Sequence, residues 1–502
     1  MRVSSSFSPF WRKYRELATS RYASLRYALE VTQQKVYISK KTIKNFTMKK
    51  QLLQITTALS LLFSASLEAQ TNPVISSWIQ NTTGITGRHY VSGSSTPIVD
   101  AGYPANVQSV AYNTTNVYVS CSGIPSYVIG PYLDGNPNQG GNNNNKYKLP
   151  LNPVQNTGTP TPTTGGTIGV FINGVSLFDY RDGVSYKSST GANAGGPLGG
   201  MGDGVWNRDA VVYEKNGFDC AKGHPAGTNY HHHQNPSAFN LDLVVISGVC
   251  NLYLADGLYV IDSTMHSPLI GFAYDGFPIY GAYGYKNADG TGGLTRMKSS
   301  YSLRSISVRT HYADGTNVTD GPAVSSSFPL GMYREDYQYN PTSAATPDYL
   351  DAHNGRFCVT PEYPAGTYCY FATVDANWNS YYPYVVGPTF YGTKVVTTVP
   401  SIPGGLTTYT STAGIDDIDE HVQLSVYPNP ASDVLLVQSK MAGKTNRKVE
   451  LIDELGKVVQ VQTLFQGSTM CYFDLQTVYD GIYFVRISDG SSTQTTKIIV
   501  SK

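Results

Sequence analysis

Charge is scarce in this sequence. Asp, Glu, Lys and Arg make up 14% of its 502 residues, against about 25% in an average soluble protein. The net charge is +1, and beyond residue 50 no basic stripe or acidic run stands out, which argues against a binder of nucleic acid or of a charged membrane surface. Also missing are a GxGxxG dinucleotide fingerprint, a phosphate-binding loop, a nucleophile elbow and a His-Glu-x-x-His helix. The cysteines at 121, 220, 250, 358, 369 and 471 include no Cys-x-x-Cys pair, so a thiolate zinc site is not expected. In place of charge stand Gly 49, Pro 28 and Tyr 39 with abundant Ser, Thr and Asn. Gly, Pro and Asn interrupt helices, while Tyr and Thr favour pleated surfaces, so the expectation is a mainly β chain of short strands and many turns. Its length calls for two or more domains.

The N-terminal region reads as a leader. Met48-Lys49-Lys50 precedes an apolar run from Leu52 to Leu67 and the small-residue end Glu68-Ala69, the layout of a secretory signal peptide over 48–69. The run is short and carries Gln54 with several Thr and Ser, which disfavours a permanent membrane span. Translation is expected to begin at Met48, with 1–47 as a spurious upstream extension; a long n-region or transit-like leader is the alternative. In an exported chain some cysteines pair, and Cys220/Cys250 and Cys358/Cys369 are the pairs weighed here, although sequence alone does not fix them.

At the other end, apolar alternation recurs at Leu424–Tyr427, Val434–Val437, Val449–Ile452, Val458–Val461, Cys471–Leu475, Ile482–Ile487 and Thr496–Val500, separated by turn clusters such as Asp480-Gly481. Seven short strands so spaced predict a small immunoglobulin-like β-sandwich over 422–502. Its residues Tyr427-Pro428-Asn429-Pro430, Asp433, Leu451-Ile452-Asp453, Gly456-Lys457-Val458, Asp480-Gly481-Ile482-Tyr483 and Lys497-Ile498-Ile499-Val500 resemble the type IX secretion sorting domain of Bacteroidota. That resemblance implies the type IX machinery as partner of 422–502 and a secreted or outer-cell-surface destination. The Thr/Ser/Gly/Pro-rich stretch from Pro400, with Asp416, Asp417, Asp419 and Glu420 after it, reads as a flexible linker over 400–421.

Any activity must then lie in the core, 70–399. Strands are expected at Val107–Tyr112, Val117–Cys121, Ile168–Ile172 and Leu241–Ile246, and the Asn-rich 136–164 is expected to be an exposed loop. Histidines cluster in Gly223-His224-Pro225, Tyr230-His231-His232-His233 and His266-Ser267-Pro268. On a pleated strand His231 and His233 share one face, with Tyr230 and His232 on the other. Two such imidazoles can converge on one ion, with His224 or His266 as a third ligand, and imidazole donors without thiolates suit copper or zinc better than calcium. Asp275 could orient an imidazole from behind, although its Gly- and aromatic-rich surroundings equally fit core architecture. A structural strand with imidazoles satisfied by carbonyls or tyrosine hydroxyls is the competing reading of the cluster.

The ordered blocks Phe171-Ile172-Asn173-Gly174-Val175, Asp219-Cys220, Tyr230 to His233, His266 to Gly281, Asp351, Asn354-Gly355-Arg356-Phe357 and Pro361 to Tyr368 resemble the YHYH protein family over about residues 170–390. The resemblance implies a β-rich fold and carries no established activity. His232 stands where the naming motif has its second Tyr, a change on the face away from His231 and His233. The tetrapeptide Pro-Ala-Gly-Thr occurs at 225–228 and 364–367, which suggests two equivalent turn-plus-strand units, the second without imidazoles; chance in a Gly/Thr-rich chain is the alternative.

Three functions compete. The first is a secreted metal-binding protein. The second is a non-enzymatic surface module that binds glycan or protein through its Tyr and Asn residues. The third, a hydrolase or oxidoreductase using the histidines, ranks last because no nucleophile stands in a recognisable setting.

Overall fold

The computed structural model describes residues 72–135, 138–196, 200–243, 250, 257–341, 346–410, 424–439, 446–454, 456–465, 468–488 and 493–502. The upstream extension and signal peptide expected over 1–69 lie outside the described residues, as does the linker from 411 onward. Among those described, no helix is long and apolar enough to cross a membrane.

The core packs two sheets around one hydrophobic cluster. A five-stranded antiparallel sheet has the order Thr397–Thr398, Asn145–Pro150, Asn116–Cys121, Val107–Tyr112, Thr407–Tyr409. Its Val110, Val119, Tyr147 and Leu149 share a buried cluster with Val170, Phe171, Phe272 and Ile279 of the second sheet. The sheets approach closely where Gly174 turns at φ 85°. A Cβ there would meet the Cys121 Cβ at 2.5 Å, so a side chain would push the layers apart.

Two strands fall where loop or linker was expected. Asn145–Pro150 lies within the Asn-rich stretch, and its Tyr147 and Leu149 are buried between half-exposed lysines, a period-two pattern that overrides the polar composition upstream. Thr407–Tyr409, inside the expected linker, forms an edge strand. Conversely, the strand expected at Leu241–Ile246 begins as a 3₁₀ turn over Phe239–Leu241, and 244–246 lie outside the described residues.

The second sheet has eight strands in the order Gly223–Ala226, Asn229–His232, Ser176–Phe178, Thr167–Phe171, Leu269–Ala273, Pro278–Tyr280, Thr367–Phe371, Gly355–Cys358. It divides into two four-strand units with the same path. Each opens with a hairpin, paired Thr167↔Phe178, Gly169↔Leu177, Val170↔Ser176 in the first unit and Leu269↔Tyr280, Gly271↔Ile279, Phe272↔Pro278 in the second, with a register shift at the same point. Each continues with a second hairpin whose later strand runs parallel to the first hairpin's second strand, His232 beside Leu177 and Tyr370 beside Ile279. The units meet antiparallel at the centre, Phe272 opposite Val170.

The repeated tetrapeptide is not the basis of this correspondence. Pro225 and Ala226 are strand residues paired with Tyr230 and Asn229, whereas Pro364 and Ala365 precede the strand that begins at Thr367. The register instead equates Tyr230 with Tyr368 and Gly223 with Gly355.

The tail forms the expected sandwich of seven strands. Three (Leu424–Tyr427, Val434–Ser439, Met470–Asp474) face four (Val458–Leu464, Arg447–Asp453, Gly481–Ser488, Thr493–Val500), and Leu435, Val437, Val449, Leu451, Val485 and Ile498 fill the space between. It touches the core where Arg88 donates to the Ser468 hydroxyl at 3.0 Å and Tyr472 donates to the Cys250 carbonyl at 3.0 Å.

Candidate metal centre

The histidine strand sits second from one edge of the eight-stranded sheet, and its pleat sorts the ring side chains as expected. On one face Tyr230 donates to the Asp219 carboxylate at 2.9 Å, and His232 Nε2 lies 2.7 Å from the Tyr127 hydroxyl. The Asp219 carboxylate also accepts from the backbone N–H groups of Gly130, Ala221 and Gly223 at 2.8–3.0 Å. It closes the turn in which Lys222 takes a φ of 64°. Burial outweighs these hydrogen bonds and pushes Asp219 up to about 7. That turn delivers His224 directly opposite His231.

On the other face His224, His231 and His233 come together, all buried, with potential ligand atoms within 4.8 Å of one another. His231 Nε2 is 3.1 Å from His233 Nε2, which is 3.4 Å from His224 Nε2. The outer nitrogens fix the tautomers. Nδ1 of His231 faces the Asn229 carbonyl at 2.9 Å, and Nδ1 of His233 faces the Asp179 carbonyl at 2.6 Å. A carbonyl only accepts, so each Nδ1 carries a hydrogen, and Nε2 of each ring faces inward, with a free lone pair whenever the ring is neutral. Phe178 stacks on His231 at 3.9 Å between ring centroids, and Phe218 meets His224 edge-on at 4.8 Å, which holds the rings in place.

A fourth donor joins them. Glu214 follows the short helix Ala210–Tyr213, whose N-cap Asp209 accepts from Val211 N–H. Its Oε2 lies 3.3 Å from His224 Nε2 and 3.2 Å from His233 Nε2. Burial raises the Glu214 carboxyl, but hydrogen bonding to His224 and His233 outweighs it and brings the group down to about 2. His233 is pulled down by burial and up by Glu214, and the carboxylate wins. His231 is held well below the usual imidazole range by burial and by its two histidine neighbours. The four groups line a cleft of about 1250 Å³ whose walls include Phe178, Arg181, Arg208 and Tyr213.

The structure thus unites three of the four histidines singled out in the sequence and places the fourth elsewhere. His266 packs against Tyr280 and Tyr285, with Nδ1 2.7 Å from the Ser267 carbonyl. Asp275 touches no imidazole. It accepts from the Tyr370 hydroxyl at 2.6 Å and from Gly392 N–H at 2.7 Å, so the orienting partners are the Asn229 and Asp179 carbonyls instead. Glu214 was missed in the sequence, because nothing in Val-Val-Tyr-Glu marks it and only the fold brings it to the cluster. Cys220 and Cys250 form a disulfide with Cα atoms 5.3 Å apart, whereas Cys358 and Cys369 are free thiols.

These features define a two-part β protein: a double-sheet core with a buried imidazole cluster, and a seven-stranded sandwich behind it. Residues 146–383 match the family described as YHYH protein, and residues 425–501 match the secretion system C-terminal sorting domain. The core carries a YHYH domain, and the tail directs export by the type IX system to the cell surface or the extracellular space. Comparison with curated proteins returns no match.

Proposed function

We propose that the YHYH core binds one zinc or copper ion through Nε2 of His224, His231 and His233, with the Glu214 carboxylate as fourth donor. The observation that carries this reading is the convergence of the donors. For metal–nitrogen bonds of ~2.0–2.1 Å, neighbouring ligands of a tetrahedral ion stand about 3.3–3.4 Å apart. Around His233 the ring nitrogens stand 3.1 Å (His231) and 3.4 Å (His224) away, the Glu214 carboxylate lies 3.2 and 3.3 Å from His233 and His224, and the three imidazole donor atoms all fall within 4.8 Å of one another. Lone pairs this close repel unless a proton or a cation lies between them. Three imidazoles and a carboxylate suit a borderline ion better than calcium, and the carboxylate disfavours a site selective for soft copper(I). With Glu214 ligating beside the three imidazoles, four protein donors would fill a tetrahedral sphere, which favours binding over catalysis, since catalytic zinc keeps an open position.

The test is elemental analysis of the chain purified without a histidine tag, beside a His231→Ala/His233→Ala variant. One equivalent of zinc or copper is expected in the first and none in the second. A native protein that is fully folded and takes up neither ion would end this reading.

A further inference from the structure

The two units of the eight-stranded sheet agree down to individual hydrogen bonds. Asp219 and Asp351 each accept at Oδ1 from backbone N–H groups two and four residues on: Ala221 and Gly223 at 3.0 Å in the first unit, His353 at 2.9 Å and Gly355 at 3.1 Å in the second. Each carboxylate also takes a tyrosine hydroxyl at 2.9 Å, from Tyr230 and from Tyr368. Lys222 and Asn354 share a φ of 64°. A Cβ at Gly223 or Gly355 would strike that tyrosine hydroxyl at 2.3 or 2.4 Å.

By this register His224, His231 and His233 of the first unit correspond to Arg356, Cys369 and Phe371 of the second. The three positions that carry imidazoles in one unit therefore carry none in the other, where the nearby His266 ring stands 6.4 Å from that of Phe371. The second unit's cation comes from the chain. The Arg356 guanidinium lies 5.8 Å from the Phe371 ring centroid, much as the His224 and His233 rings stand 5.5 Å apart. It donates to the carbonyls of Lys286 at 3.0 Å, of Pro347 and of Tyr285.

We infer that each unit builds one cation position on this face, and that the Arg356 guanidinium fills in the second unit the role that a bound metal ion fills in the first. The inference rests on the metal reading of the histidine cluster. In both units several electron-rich atoms converge beside the hairpin, buried nitrogens with a carboxylate in one and carbonyl oxygens, part-buried at Tyr285 and exposed at Lys286 and Pro347, in the other, and positive charge is favoured beside each set. A permanently charged side chain supplies it without exchange, whereas imidazoles require an ion from outside. The chain accordingly takes one ion, and residues 356, 369 and 371 decide that the second unit takes none.

The experiment is elemental analysis and metal titration of the full chain with Arg356→His, Cys369→His and Phe371→His combined. Bound zinc is expected to rise from one equivalent to two. A triple variant that keeps its first equivalent, and so is folded, but gains no second would overturn the equivalence. A native chain with no ion would instead remove the reading beneath it, so the two failures are distinct. Should the triple variant not fold, Arg356→Met decides. It is expected to keep one equivalent and to melt at a lower temperature, with Arg356→Lys in between; an unchanged melting temperature for Arg356→Met would show that no cation is needed there.

Discussion

Glu214 places its Oε2 3.2 Å from Nε2 of His233, on the side of the ring opposite the nitrogen held by the Asp179 carbonyl. The imidazole is thus fixed from behind and faces a carboxylate in front. With no metal present, a proton on Nε2 suits this pair, which is why His233 titrates above its usual range. A metal ion would displace that proton and use both groups as ligands.

Glu214→Gln keeps the shape of the side chain and removes its charge. Zinc affinity is expected to fall at least about 10–100-fold, the range seen for groups that only support the ligands, since Glu214 is itself a ligand in this reading. Competition with a chromophoric chelator at constant pH measures it. Unchanged affinity would place Glu214 outside the coordination sphere and leave a three-histidine ion open to the cleft.

What could be read from the chain follows from how local each signal is. The tail strands announce themselves through alternation broken by turn dipeptides, and all seven are present. The shared face of His231 and His233 follows from the pleat, and His224 joins them because a tight hairpin sets it opposite His231. His266 is near in sequence but leads into the second unit, so proximity along the chain misleads. Asp275 fails similarly, lying in the turn after Leu269–Ala273 and facing Tyr370. Glu214 carries no local mark at all, since a helix and a long connection position it. The duplication was visible only faintly, because its equivalences rest on register and on hydrogen bonds that unlike residues can make.

The Cys220–Cys250 disulfide closes a loop with a sequence separation of 30 that contains His224, His231 and His233. In the chain-entropy account a loop of this length stabilises by about 3–4 kcal/mol. Cys220→Ser/Cys250→Ser is therefore expected to lower the unfolding free energy by about 3 kcal/mol in urea denaturation. Thiol titration of the denatured native chain should find four reactive cysteines of the six. Six would mean that the bond is absent from the exported protein.

Asp275 is expected to make the stability of the folded core depend on pH. It is fully buried, and burial outweighs its hydrogen bonds to Tyr370 and Gly392 and pushes it up to about 6 from 3.8. Its counterpart in the first unit is Asn173, whose Oδ1 accepts from Val175 N–H as Asp275 Oδ1 accepts from Phe277 N–H. Because the folded chain holds this proton more tightly than the unfolded chain, the associated stability is fully present below pH 3.8 and is lost as pH rises through about 6. The loss is on the order of 3 kcal/mol, at 1.36 kcal/mol for each pKa unit. Asp275→Asn keeps the Oδ1 acceptor of Phe277 N–H without a titrating group, and its amide nitrogen in place of Oδ2 loses the Gly392 bond at every pH. Urea denaturation of native and variant chains at pH 4 and pH 8, with chelator so that the histidine centre is metal-free in both, isolates the effect. The variant is expected to gain on the native protein by about 3 kcal/mol between the two pH values. A constant offset would show that the Asp275 carboxyl ionises in the fold as freely as it does in the unfolded chain.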